Sequence, residues 1–456
     1  MIDSRDIHVI QRDRRYVVFH PESLSLFSVA EDIGRLLKSN EIHPHTLGSK
    51  DRCSIDNILN HFSENLELNS AKDLKWKKTE PRTLNLIVSQ DCNLRCAYCY
   101  ADHGTYGAER KLMSYDTAKT CIDKLLSKEY DNHIVFFGGE PLLNFSLIKE
   151  IDSYINEKNL HAKYTTITNG TIMNDEIKNF INNKFLNLWI SMDGPKDIND
   201  VQRFGRIESV HDRVVETIDK LHTRSYPLII KSIVTKKSAG RMREVVEYIS
   251  SLDIDSIDLK PVKDAAHDSE FFMNDEEYLM YIRELADILV ININKLANGE
   301  KVKLMSHISS ILMQMTTKTR MTNGCSAGRE IITITPDGYV YPCEKYIGLK
   351  EFNMGNVHDE YFPGEKFERL RDLFYNLNIY NSIECGSCWA RFLCGGVCHW
   401  QSYVSHGDLS QPTERRCLEM KAILEALLPE IAEIFSNEVK TKNMLNYLKS
   451  SKYMNV

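Results

Sequence analysis

From Thr83 to about Val262, short apolar runs alternate with stretches whose apolar residues recur every three to four positions. The runs lie at 83–89, 133–137, 163–168, 187–191, 228–234 and 256–260 and read as strands. Ser114–Lys128, Ser146–Glu157, Asp175–Asn182, Arg213–His222 and Gly240–Ser251 carry the helical period. Such alternation predicts a parallel sheet, because each right-handed crossover lays the next strand beside the last. Six strands are fewer than the eight that close a full barrel. The expected fold is α/β, a partial (β/α)6 TIM-like barrel that, with a long helix over 275–298, takes residues 83–300.

Ahead of the barrel, Tyr16–His20 and Leu24–Val29 read as strands about a Pro21-Glu22-Ser23 turn, followed by a helix from about Ala30 to Lys38. Residues 39–52 are polar and loop-like, Asp56–Asn65 is helical in pattern, and Lys72–Arg82 reads as a linker. Residues 1–80 are therefore expected to form a small unit of their own. At the other end, a cysteine-rich stretch over 310–425 precedes a C-terminal helix over 426–456; the last 36 residues, with Ile423, Leu424, Leu427, Leu428, Ile431 and Ile434, read as a packing helix.

A chain of 456 residues implies two to four domains. Its 42% hydrophobic and 27% charged residues are ordinary for a soluble globular protein. A net charge of −7 gives no footprint for nucleic acid. Met1–Arg15 is charged throughout and has no apolar core, so no secretory signal is expected. No run approaches the ~18 apolar residues of a membrane span. A cytoplasmic protein with neither nucleic-acid nor membrane partners is expected.

Cysteine placement changes the picture most. Ten of twelve fall in two groups, and in a reducing cytosol close-set cysteines bind metal or do redox chemistry. Cys121 lies among Ile122, Leu125 and Leu126 and reads as a core thiol, and no role is apparent for Cys53. The first group is Cys92-x3-Cys96-x2-Cys99, directly after the first barrel strand. Structural zinc takes four ligands; this loop offers three. Three thiolates hold three irons of a cubane and leave the fourth open. With Tyr98 before the third cysteine, the segment resembles the cluster loop of the radical S-adenosylmethionine (SAM) enzymes.

That resemblance organises the strand ends, where a parallel barrel places its function. Gly138-Gly139-Glu140, after the second strand, resembles the motif that binds the amino group of SAM. The two glycines let a ligand approach the backbone. Asn169, after the third strand, and Ser191, ending the fourth, resemble positions around SAM's ribose and methionine. Arg203 is a candidate for SAM's carboxylate or for a surface salt bridge. The resemblance implies reductive cleavage of SAM to a 5′-deoxyadenosyl radical that takes a hydrogen atom from a nearby substrate, fed by an electron donor such as flavodoxin or ferredoxin.

The second group is Cys325, Cys343, Cys385-x2-Cys388-x5-Cys394-x3-Cys398 and Cys417. Taken alone, Cys385, Cys388, Cys394 and Cys398 would also suit a zinc ribbon. The full order resembles the SPASM domain, which binds auxiliary [4Fe–4S] clusters in peptide-modifying radical SAM enzymes. The family pattern assigns Cys385, Cys388, Cys394 and Cys417 to one auxiliary cluster and Cys325, Cys343 and Cys398 to the other, giving three [4Fe–4S] clusters in all. Relatives with a fully ligated second site carry a further cysteine shortly before Cys325, but Thr316–Gly324 has none. An open iron there would suit a substrate thiolate, with Cys53 or a non-cysteine ligand as competitors. His399, beside Cys398, either bonds to a ligand or is an ordinary buried histidine.

The hairpin and helix of residues 1–80 resemble in layout the winged-helix recognition element of ribosomal-peptide maturases, and a plain cap on the barrel is the other reading. The activity implied is a peptide maturase that forms thioethers, cysteine sulfur to carbon, in a ribosomally made precursor with leader and core. Carbon–carbon crosslinking and oxidation of Cys or Ser to formylglycine are the alternatives. No residue is singled out as catalytic acid or base.

Overall fold

The computed structural model describes residues 7–38, 53, 55–58, 60, 72–73, 81–262 and 270–450. Packing divides the chain into two units. One comprises Met1–Lys75, Leu279–Cys325 and Leu377–Val456; the other comprises Trp76–Tyr278 and Ser326–Asn376.

The first unit opens with an antiparallel sheet of β1 (His8–Arg12), β2 (Arg15–His20) and β3 (Ser25–Val29), followed by α1 (Glu31–Lys38). The first strand was missed because its residues, HVIQR, are largely polar. The helix lies on the sheet where Gly34 meets Tyr16; a Cβ there would stand 2.2 Å from the ring. Val18, Ile33, Leu37 and Ile55 form the core beneath it. The expected loop over 39–52 and most of the linker fall outside the described residues.

This sheet is fastened to the cysteine-rich segment of its own unit. His8 stacks on Trp389 with ring centroids 3.8 Å apart. Glu22 pairs with both Arg320 and Arg391. Arg15 bonds Glu430 and Glu433 on the helix Glu414–Phe435. That helix starts well before residue 426, so Cys417 sits in its first turn and not in a loop.

The second unit is built on β4 (Thr83–Gln90), β5 (Asn132–Gly138), β6 (Ala162–Thr168), β7 (Phe185–Ser191), β8 (Leu228–Val234) and β9 (Ser256–Pro261). Neighbours pair in parallel in chain order. Three of the described helices between them begin at side-chain caps. Ser114, Asn174 and Ser209 each accept a backbone N–H of the first turn.

The sheet's two faces differ. Leu84, Leu86, Ile134, Phe136, Leu188, Ile190, Leu228 and Ile230 share one face in register and have no exposed surface. Phe136 and Phe185 continue to Phe180 on the helix Asp175–Lys184, so this is the helix-covered side. The opposite, concave face carries Asn85, Thr165, Asn187, Ser191, Lys231 and Asp258. Apolar burial makes the barrel; the polar inner face is available for chemistry.

Because six strands do not close, the edge of β4 needs a partner. β10 (Ile331–Ile334) supplies it, parallel, with Ile331 opposite Thr83. β11 (Tyr339–Tyr341) and β12 (Gly355–Asn356) follow antiparallel. The segment carrying Cys343 thus belongs to the barrel unit, while Cys325, Cys398 and the remaining auxiliary cysteines belong to the first unit.

Candidate functional site

At the C-terminal end of β4 the pairing with β5 shifts register between Ile87 and Ser89, an irregularity of the kind that re-aims a strand end. The chain then enters the three-cysteine loop. The loop is pinned from two sides. Arg95 N–H donates to Phe204 and Ala97 N–H to Gln202. Asn169 donates to Asn93 Oδ1 at 2.8 Å and to Cys92 Sγ at 3.8 Å. Cys92 Sγ also accepts from Leu94 N–H at 3.4 Å. Beyond Cys99, Asp102 and His103 take positive φ angles, which non-glycine residues adopt rarely, and His103 N–H reaches Cys99 Sγ at 3.2 Å. Each sulfur thus has a donor suited to a thiolate; for Cys96 it is Arg203 Nη1 at 3.9 Å.

Burial pushes the Cys92 thiol up to about 11 and the Cys96 thiol to about 12, with the neighbouring thiols adding to the effect. Alone these groups stay protonated at neutral pH, and a bound metal reverses that preference.

The glycines of Gly138-Gly139-Glu140 have a reason that the sequence did not reveal. A Cβ on Gly138 would stand 2.1 Å from Ser89 O, and one on Gly139 would stand 2.3 Å from Asp91 O. Gly139 N–H donates to Ser89 O and Glu140 N–H to Asp91 O. What the glycines admit in this structure is the base of the cysteine loop.

Glu140 is completely buried. Its carboxylate accepts from Leu142 N–H, Thr168 Oγ1 and Asn169 N–H at 3.0, 2.7 and 2.7 Å. It therefore locks the turn carrying Asn169 to the segment after β5. Burial raises its carboxyl to about 7, against the pull of those three donors. Since the folded value lies above the unfolded one, its contribution to stability is complete below the unfolded pKa and is lost as pH rises through about 7. In Glu140→Gln that slope should vanish. The stability of wild type relative to the variant should fall by about 2 kcal/mol between roughly pH 5 and 8. Denaturant midpoints of both apoproteins check this, and a pH-independent difference would contradict it.

Arg203 is no surface residue: it is buried against Asp193, with Nε to Oδ2 at 2.9 Å. Tyr98 Oη donates to the same oxygen at 2.6 Å, and the guanidinium lies 5.5 Å from the Tyr98 ring centre. Ile233 N–H holds Oδ1 at 3.0 Å. Asp193 and Tyr98 thus set the position of Arg203 beside Cys96, a role for Asp193 that sequence reading missed although Ser191, two residues earlier, was singled out. Ser191 lies on the concave face next to Lys231.

In the first unit, Cys385, Cys388, Cys394 and Cys417 line one pocket of about 550 Å³, including its open mouth, together with Glu384, Arg391, Arg416 and Lys421. Burial, then the neighbouring thiols, pushes Cys385 up to about 11. Arg416 opposes the rise at Cys394. Four thiols around one cavity with cations at its wall suit an anionic thiolate-ligated cluster. The stretch before Cys325 lies against this loop: Met321 N–H donates to Phe392 O and Gly324 N–H to Gly395 O. His399 bonds Leu409 O through Nδ1, the arrangement of a structural histidine. Cys53 is exposed and accepts from Asn57. Among the described residues no three His, Cys, Asp or Glu side chains converge on a single-ion site, and no helix is long and apolar enough to cross a membrane.

Comparison with known proteins agrees with this geometry. The radical SAM superfamily model matches residues 86–249, and the SPASM iron–sulfur cluster-binding domain matches 325–389. The cysteine-type anaerobic sulfatase-maturating enzyme of Clostridium perfringens is 26% identical, over 78% of this chain and 99% of its own. The solved structure of native anSMEcpe with bound AdoMet superposes with a TM-score of 0.66 at 22% identity, covering 78% of this chain and all of that one. Streptococcus suis SuiB bound to its precursor peptide SuiA gives 0.50 at 14%, covering 91% and 98%. The chain is a radical SAM enzyme with a SPASM extension. Its cofactors are SAM, the [4Fe–4S] cluster of the radical SAM domain and the auxiliary clusters of the SPASM domain.

Proposed function

We propose that this enzyme is a peptide maturase that installs thioether crosslinks in a ribosomally made precursor. The observation that carries the reading is the auxiliary cysteine set. Cys385, Cys388, Cys394 and Cys417 make a complete four-thiol site, whereas Cys325, Cys343 and Cys398 have no fourth cysteine in Thr316–Gly324. A site short of one thiolate suits a substrate cysteine. In this reading Cys92, Cys96 and Cys99 hold the SAM-binding cluster. Gly138, Gly139 and Glu140 shape the methionine end of the SAM site with Asn169, Ser191 and Arg203 around it. SAM, once reductively cleaved, supplies the hydrogen-abstracting radical. The protein's part is positional: Glu140 fixes the Asn169 turn, Asp193 fixes Arg203, and the concave barrel face holds the peptide. The substrate carbon gives up a hydrogen atom to the radical and the thiol a proton; the one electron left over when the carbon–sulfur bond forms would pass to the auxiliary cluster that Cys325, Cys343 and Cys398 would hold, so each crosslink removes two hydrogens. Support for a peptide substrate comes from SuiB, solved with its precursor peptide. The strand-and-helix element of residues 1–80 is assigned to leader recognition, and a flavodoxin or ferredoxin to electron supply.

A second reading, oxidation of Cys or Ser to formylglycine, is favoured by the match to nearly the whole sulfatase-maturating relative. One experiment separates them: the intact mass of a candidate precursor after anaerobic co-expression. Loss of two hydrogens per crosslink with loss of alkylatable cysteine supports the thioether. The same loss with every cysteine still alkylatable selects carbon–carbon crosslinking. A carbonyl-reactive product selects formylglycine.

A further inference from the structure

Lys231 is a charged group inside the barrel that none of the roles above uses. It stands on β8 in register with Ser191 of β7 on one side and Asp258 of β9 on the other, so the three share one rung of the concave face. Asp258 is already committed, with Lys260 Nζ 3.1 Å from its Oδ1. Among the described residues no hydrogen bond or ion pair reaches the Lys231 ammonium. Burial pulls its pKa below the usual lysine value, against the attraction of Asp258 and Glu344, with Lys345 and Lys260 adding to the lowering. The side chain nevertheless keeps some accessible surface, the combination expected of a group lining an internal cavity.

The charges on this rung are unequally sheltered. Asp258 is buried and shares its carboxylate with Lys260, whose side chain is 42% exposed, while Lys231 has no counter-ion in hydrogen-bond contact among the described residues. A cation in such a place is costly unless an anion joins it. From this juxtaposition of an unpaired lysine and a committed aspartate on one rung of the concave face, we infer that Lys231 is a carboxylate-binding site inside the barrel that anchors an acidic residue of the substrate peptide beside the reacting centre. The inference rests on the peptide-maturase reading. It adds a substrate preference: an Asp or Glu at or next to the residue that is attacked.

The test compares wild type with Lys231→Met, which keeps the stem and removes the charge, and Lys231→Arg, which keeps the charge. The probes are two blocked pentapeptides, Gly-Cys-Gly-Asp-Gly and its Asn counterpart. The readouts are their effect on 5′-deoxyadenosine formation under dithionite and the equilibrium affinity for SAM. A charge-assisted pair in a sheltered site corresponds to about tenfold or more in affinity. Wild type should therefore respond to the Asp peptide at about one tenth of the Asn-peptide concentration. Lys231→Met should lose that preference with SAM affinity unchanged, and Lys231→Arg should keep it. If SAM affinity falls about tenfold in Lys231→Met while peptide preference is retained, the carboxylate is SAM's own and the peptide anchor is overturned. If wild type and Lys231→Met behave alike in both assays, Lys231 only balances Asp258. If neither peptide affects wild type while SAM is still cleaved, the barrel holds no site that takes up an acidic peptide and the anchor is overturned, whereas the maturase reading stands or falls on the co-expressed precursor.

Discussion

Replacing Cys92, Cys96 and Cys99 together with alanine is expected to abolish 5′-deoxyadenosine formation and to lower the iron content by roughly four atoms per chain, the content of one cubane. The auxiliary iron should remain, because the pocket of Cys385, Cys388, Cys394 and Cys417 lies in the other packing unit. The loop's shape should also survive. It is held by Arg95 and Ala97 to the 202–204 backbone and by Asn93 to Asn169 and Thr171, and these bonds do not use sulfur. Loading should release protons and improve with rising pH, since the Cys92 and Cys96 thiols lie at about 11 and 12 without metal. Iron and deoxyadenosine assays on anaerobically reconstituted protein check this. Residual SAM cleavage, or iron lost equally from all sites, would sink the assignment.

The barrel was legible because its strands are apolar runs bounded by helical period, and all six fall within two residues of their expected limits. β1 was not, because a strand that turns polar side chains outward looks like a charged terminus. The cysteine spacing exposed the metal chemistry, but the support beneath it stayed hidden. Gly138 and Gly139 read from sequence as places where a ligand approaches the backbone; that they also admit Ser89 and Asp91 had no local signal. Register is the general reason. Sequence reports the period of a strand, not which residue stands opposite, so Ser191, Lys231 and Asp258 could not be seen as one rung. The attachment of β10 to the edge of β4 is likewise a contact across more than two hundred residues, with no local signal.

Asp193→Asn should cost about 3–5 kcal/mol of stability, the range for removing one partner of a buried ion pair. The carboxylate is fully buried and accepts from Tyr98, Arg203 and Ile233. An amide in its place leaves the Arg203 charge uncompensated and turns an N–H toward groups that are themselves donors. Burial alone would lower the Arg203 pKa, yet Asp193 and its neighbours hold it above the usual value, so the guanidinium stays charged and must be paid for. Urea denaturation of the apoprotein measures the loss, and a change under about 1 kcal/mol would contradict the pair's importance. A double variant, Asp193→Leu with Arg203→Met, separates structure from function. Removing both charges should recover much of the stability, because an apolar replacement avoids the desolvation cost of the pair. SAM affinity should stay low in the double variant, since no packed methionine can offer a carboxylate two parallel N–H donors. Recovery of SAM binding together with stability would instead make Arg203 a strut for the Cys96 loop and move the recognition of SAM's carboxylate elsewhere on the barrel rim.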